Sequence, residues 1–233
     1  MLIRGFQKFS LLDYPGKIAA IIFAPGCTFR CPFCYNLELV LGGANLPSFS
    51  EKKVLNFLKK RRGKLEGLVV TGGEPTMQND LPEFLRRVKK IGYAVKLDTN
   101  GSNPTMLARL VKQKLIDYVA MDIKTDWENY SRLAPNVEIA KIKKSVNFLK
   151  KYGVMGKFRY EFRTTVAPDF VSAQIMEKIG KAIQGAPLYC LQQYRPQKTL
   201  QKDLAQKVYS EKVLLNFKKI AEKYAKKVEI RGI

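Results

Sequence analysis

Between residue 17 and residue 230 the chain alternates short, nearly continuous apolar runs with longer stretches whose apolar residues recur every three or four positions. The short runs predict strands over 17–24, 68–71, 93–98, 118–122, 159–166 and 188–193. The longer stretches predict helices over 51–61, 81–91, 105–114, 138–152 and 172–184. Ser50 suits an N-cap, and Gly92 and Gly153 suit helix stops. A last helix over 210–226 precedes a short tail strand near 228–230.

Strands alternating with helices at this spacing indicate repeated βα units on a parallel sheet, an α/β fold. Six units suit a partial (β/α)6 barrel better than a closed eight-unit one. No long linker, low-complexity segment or repeat beyond the βα rhythm interrupts the chain. The expectation is one domain over 1–233, with 1–16 as an N-terminal extension and 197–233 as a C-terminal helix and tail. In such barrels chemistry sits on the loops after the strands. Polar sets break the apolar runs at those ends: Thr71-Gly72-Gly73-Glu74, Asp98-Thr99-Asn100, Asp122-Ile123-Lys124, Arg163-Thr164-Thr165 and Gln192-Gln193-Tyr194-Arg195. They would converge on one rim, together with the loop after the first strand.

Composition changes this picture in three respects. The 233 residues are 46% hydrophobic, enough for a sizeable core, and no run approaches the ~18 apolar residues of a membrane-spanning helix. With no export signal legible, the cytoplasm is the expected location. Lys and Arg number 42 against 20 Asp and Glu, a net charge of +22. That charge reads either as solvated helix faces or as attraction to acidic proteins, nucleic acids or anionic substrates. There is no histidine, which excludes His-ligated zinc, His-based triads and imidazole acid–base catalysis.

Three of the four cysteines fall within eight residues, Cys27, Cys31 and Cys34, in a Gly-, Pro- and Arg-containing loop. The distant Cys190 makes a disulfide framework unattractive and a metal site attractive. Three thiolates at C-x3-C-x2-C spacing can grip three corners of a cubane iron–sulfur cluster and leave the fourth iron open. Competing readings are a three-cysteine zinc site, three buried apolar cysteines, or a closed cluster completed by Cys190. Cys190 otherwise reads as a small apolar residue of its strand. Two glycines in Thr71-Gly72-Gly73-Glu74-Pro75 allow close backbone approach, and Glu74 offers acceptors to an ammonium.

With Phe33 before its third cysteine, the loop resembles the C-x3-C-x-aromatic-C signature of the radical S-adenosylmethionine (SAM) superfamily. The resemblance implies a [4Fe–4S] cluster on Cys27, Cys31 and Cys34 whose open iron chelates SAM. Electron transfer from the reduced cluster then cleaves the sulfonium and yields a 5′-deoxyadenosyl radical. Phe33 would lie against the adenine, and Gly72, Gly73 and Glu74 would receive the methionine amino group. Asp98-Thr99 and Asp122-x-Lys124 resemble the pocket of the glycyl-radical-enzyme activases. There, Lys124 would pair with the SAM carboxylate, while Asp98 and Asp122 face the amino group and a monovalent cation.

The lead-in Asp13-Tyr14-Pro15-Gly16 and the run Leu97-Asp98-Thr99-Asn100-Gly101 are similar to the activating proteins of anaerobic ribonucleotide reductases. The match is motif-specific to about Lys124 and architectural beyond it. It implies a glycyl radical enzyme as protein substrate and an electron donor such as flavodoxin or ferredoxin. Arg163, Thr165 and Arg195 are candidates for the substrate opening. Tyr35 stands where many members carry histidine, and Gln193-Tyr194-Arg195 where some place another. Alternatives are a radical SAM enzyme acting on RNA or a small molecule, motivated by the +22 charge, and an iron–sulfur electron carrier.

Overall fold

The computed structural model describes all residues except positions 135, 154, 197, 198, 202, 203 and 205–207. The strands are β1 (Gly5–Ser10), β2 (Ala19–Ala24), β3 (Gly67–Gly72), β4 (Ala94–Thr99), β5 (Tyr118–Asp122), β6 (Arg159–Val166), β7 (Tyr189–Gln193) and β8 (Val228–Arg231). They lie side by side in sequence order; β1 is antiparallel to β2 and every other pair is parallel. The helices are α1 (Leu37–Val40), α2 (Glu51–Lys60), α3 (Leu81–Ile91), α4 (Pro104–Lys112), α5 (Ile139–Gly153), α6 (Ala173–Ala182) and α7 (Glu211–Ala221). Six βα units, from β2 to α7, thus form the partial barrel, and β1 and β8 are its two edges.

Several local signals act as the sequence suggests. Ser50 caps α2 by accepting from the Lys53 N–H at 3.2 Å, and Gly92 ends α3 in the left-handed region at φ 107°. Gly153 is the last residue of α5. The segment 1–16 departs from the expectation of a mere extension, because it contributes β1, with Phe6 opposite Ile22 and Gln7 opposite Ile21. Its polar, half-exposed sequence hides a strand that forms only by pairing with β2. Short α1 was likewise not legible.

Strands β2 to β5 are buried on both faces over most of their length, which explains their nearly unbroken apolar sequence. Outward positions such as Leu68, Val70, Val95, Leu97 and Phe162 pack with helix residues Leu58, Phe84, Leu107 and Val146 in the main core. Inward positions form a smaller cluster of Ala19, Ile21, Val69, Tyr118 and Ala120, sealed by the buried Tyr14. One layer on, the interior becomes charged. Fully buried Glu161 accepts from the Tyr118 hydroxyl at 2.9 Å and from both Arg231 Nη atoms at 2.9 and 2.8 Å. Arg231 thereby ties edge strand β8 to β6 across β7. Cys190 belongs to this layer, 3.5 Å from a Glu161 oxygen; its thiol faces a buried carboxylate and not an apolar surround.

Candidate functional site

The seven parallel strands β2 to β8 end at one rim, and the loop after β2 crosses it carrying the three cysteines. Its path is fixed by short contacts. The Arg30 N–H donates to the Leu133 carbonyl at 2.9 Å, and its side chain donates to the Cys27 and Phe29 carbonyls at 2.7 and 2.8 Å. Phe29 meets Tyr130 edge-on at 6.1 Å, and Phe33 meets Phe170 at 5.1 Å. Phe33 is 3% exposed.

The β3 exit is pressed against the root of this loop. The Gly73 N–H donates to the Ala24 carbonyl at 2.9 Å, and the Glu74 N–H to the Gly26 carbonyl at 2.7 Å. A Cβ on Gly73 would lie 1.9 Å from the Gly26 oxygen, and one on Gly72, whose φ is +120°, 2.4 Å from the Ala24 oxygen. Glycine is required here by the approach of two backbones to each other.

A cavity of about 500 Å³ opens beneath the loop, within the size range of small-molecule sites. Cys27, Cys31, Phe33 and Cys34 line it from one side, Gly72, Gly73, Asp98, Thr99, Asp122 and Lys124 from the strand ends, and Arg163 and Thr165 from β6. Two residues expected at the site lie elsewhere. Glu74 is fully buried, and its carboxylate accepts from the Thr76 N–H and hydroxyl, the Thr99 hydroxyl and the Asn100 N–H. It fastens the β3 loop to the β4 loop and does not face the cavity. Burial pushes its carboxyl above the usual range, against the pull of those four donors. Arg195 also lies off the cavity wall; its side chain donates to the Gly232 carbonyl at 3.0 Å and its N–H to the Tyr35 hydroxyl at 2.6 Å. Tyr35 in turn stacks on Tyr194, so this aromatic joins the cysteine loop to the end of β7.

The thiols suit an iron–sulfur cluster. Burial pushes Cys27 up to about 11 and Cys31 up to about 12, so both are protonated at neutral pH in the cluster-free chain. Iron supplies the positive charge that turns such thiols into thiolate ligands. The Cys27 sulfur already accepts from the Phe29 N–H at 3.4 Å and lies 3.6 Å from the Asn100 amide, contacts of the kind that tune cluster sulfurs. Cys190 does not line the cavity.

The cavity floor is a charged network. Arg163 Nε donates to Asp122 Oδ1 at 2.8 Å and Nη1 to Asp98 Oδ2 at 3.2 Å. Lys124 Nζ pairs with Asp122 Oδ2 at 2.8 Å, and the Lys96 ammonium pairs with Asp98 Oδ1. Burial alone would raise both carboxyls, but Arg163 with Lys96 or Lys124 holds each below the usual range. Asp122 likewise raises Lys124 against its burial. Because both folded carboxyls titrate below their unfolded value of about 3.9, their stabilisation is present above that pH and lost as pH falls through the folded values. The melting temperature of the cluster-free protein should therefore fall on acidification below about pH 4; a level profile would show that the network contributes nothing.

Sequence reasoning missed Lys96 and Arg231. The signal for Lys96 was present, since it stands two residues before Asp98 and so shares the inward face of β4. Arg231 carried no signal, because only the fold brings the tail strand beside β7.

This fold and site define a radical SAM enzyme. Residues 21–160 match the model of the Radical SAM superfamily, and the chain belongs to that superfamily. A Methanocaldococcus jannaschii protein named "Putative glycyl-radical enzyme activating enzyme" is 34% identical over 239 residues, covering 100% of this chain and 96% of that protein. The anaerobic ribonucleoside-triphosphate reductase-activating protein of Escherichia coli is 32% identical over 93 residues, 39% of this chain and 60% of that one. Among solved structures, Streptococcus suis SuiB bound to its precursor peptide SuiA superposes with a TM-score of 0.71 at 15% identity, over 91% of this chain and 48% of SuiB; at that identity the likeness concerns the fold alone.

Proposed function

We propose that this protein activates a glycyl radical enzyme, removing a hydrogen atom from the Cα of a glycine on that partner. The observation that carries this reading is the end-to-end similarity to the archaeal protein of that name. Convergence of the three cysteines and the Asp98, Asp122, Lys124 and Arg163 network on one cavity supports it. A [4Fe–4S] cluster and SAM, when bound, supply reductive sulfonium cleavage and the hydrogen-abstracting power. The chain's own residues hold, orient and enclose. Cys27, Cys31 and Cys34 hold the cluster and, having no fourth cysteine in the cavity wall, leave one iron for SAM. Lys124, already beside Asp122 and Cys31, receives the SAM carboxylate, and buried Phe33 offers an apolar face to the adenine.

That β1 and β8 are edge strands that do not pair with each other supports entry of a protein loop on that side. Anaerobic ribonucleotide reductase is the partner this reading prefers, on the shorter similarity to its Escherichia coli activating protein. An acidic reductant such as flavodoxin or ferredoxin suits the +22 charge. A set of free thiols of this kind belongs in a reducing compartment such as the cytoplasm. Among the described residues, no helix is long and apolar enough to cross a membrane.

The test uses anaerobically reconstituted, dithionite-reduced protein. SAM should shift the electron paramagnetic resonance spectrum and be converted to 5′-deoxyadenosine, and adding anaerobic ribonucleotide reductase should produce a glycyl radical signal. Deoxyadenosine formation with no radical on any glycyl radical enzyme would turn attention to RNA or small-molecule substrates. A four-iron signal indifferent to SAM would favour an electron carrier. Lys124→Ala should weaken SAM binding roughly tenfold or more, the loss of one charge-assisted pair, with cluster content unchanged; equal affinity would remove Lys124 from the pocket.

A further inference from the structure

The relatives' pocket implied a monovalent cation beside Asp98 and Asp122, and these residues do not fit one. We propose that Lys96 is a built-in replacement for that cation, so that this protein binds SAM without potassium or sodium. The inference rests on the reading of the cavity as a SAM site and adds what neutralises its acidic floor.

The argument starts from donor and acceptor arithmetic. Two carboxylates present four oxygens, and each faces a fixed nitrogen cation: Lys96 and Arg163 on Asp98, Arg163 and Lys124 on Asp122. A hard monovalent ion binds by collecting several oxygens at once. Here it would have to share oxygens that already accept from N–H donors, while repelled by three positive side chains. The floor's own side chains are three positive and two negative, so a positive excess already faces the place where a SAM carboxylate would sit.

Lys96 is the decisive member. Arg163 and Lys124 lie at the rim and line the cavity. Lys96 lies on β4 one inward position deeper than Asp98, is 2% exposed, and reaches Asp98 from below. A lysine that deep is costly as a charge unless paired, and Asp98 is its partner. Its Nζ brings one positive charge and three donors to the underside of the carboxylate pair. A soluble ion would deliver the same charge, but only at a concentration set by the medium and after losing its water.

The test compares SAM affinity of the cluster-loaded protein in potassium, sodium and tetramethylammonium chloride at one ionic strength. Wild type is expected to bind equally in all three, within about twofold. Lys96→Gln keeps the stem and a donor and removes the charge. It should bind about tenfold more weakly in tetramethylammonium and recover on adding potassium or sodium. Sodium NMR on cluster-free protein supplies a readout independent of SAM. Lys96→Gln should broaden the sodium line in a way that potassium reverses, and wild type should not. Wild-type affinity that rises with potassium or sodium, or potassium-reversible sodium broadening by wild type, would overturn the proposal. If SAM binds in no salt, the SAM reading fails, and the sodium experiment alone decides whether Lys96 fills the cation's place. Should Lys96→Gln not fold, Lys96→Met replaces it, and the wild-type measurements still decide.

Discussion

Cys31→Ala should yield a folded protein that retains no [4Fe–4S] cluster after anaerobic reconstitution and forms no 5′-deoxyadenosine. Cys31 is the central and most buried of the three thiols, 7% exposed, and two thiolates cannot hold a cubane that already has one iron without a protein ligand. The fold should survive, because losing a small buried thiol from a loop removes little packing. That loop is held by Arg30, Phe29 and Phe33, none of which depends on the cysteine sulfur. Iron content, the 400 nm absorbance region and the far-ultraviolet dichroism measure the three claims separately. Cys190→Ala is the control. Cys190 faces Glu161 inside the barrel and lies off the cavity wall, so its variant should keep cluster and cleavage; loss of the cluster there would refute the open-iron arrangement.

Gly73→Ala is expected to have the second-largest effect, through packing alone. The added methyl would stand 1.9 Å from the Gly26 carbonyl oxygen, a backbone atom that cannot rotate away. Relief requires β3 and the cysteine loop to separate, which breaks the bonds from Gly73 to Ala24 and from Glu74 to Gly26. Overpacking typically costs 1–3 kcal/mol, and a backbone collision belongs at the upper end. About 3 kcal/mol corresponds to a melting temperature lower by roughly 6–12 °C in a chain of this size. Because the displaced segment leads directly to Cys27, cluster content after reconstitution should fall as well. A variant as stable as wild type with a full cluster would mean that the two loops can part freely, and that the double glycine is not there to let them meet.

Much of this was legible in the linear chain, and the reason is local. The runs 118–122 and 159–166 coincide with β5 and β6, and 81–91 with α3, because strands buried on both faces and helices with one apolar stripe carry their period in their own residues. The cysteine spacing, the absence of histidine and the polar sets that end the strands are also properties of the sequence. They determined a barrel of βα units and membership of the superfamily, and they offered three cysteines as cluster ligands.

Only the tertiary structure decided how the charges share that rim. Glu74 could be read as a ligand until its oxygens were seen to be taken by Thr76, Thr99 and Asn100. Arg163 lines the cavity, but only the fold shows that it bridges Asp98 and Asp122. Lys96 joined the Asp98 pair and Arg231 the buried Glu161 through inward-facing register alone, and segment 1–16 became β1 only by pairing with β2. The physical reason is common to all of these. A residue's type fixes which charge or donor it carries, but its partner is set by contacts between strands tens of residues apart, and in a buried site the partner decides the role.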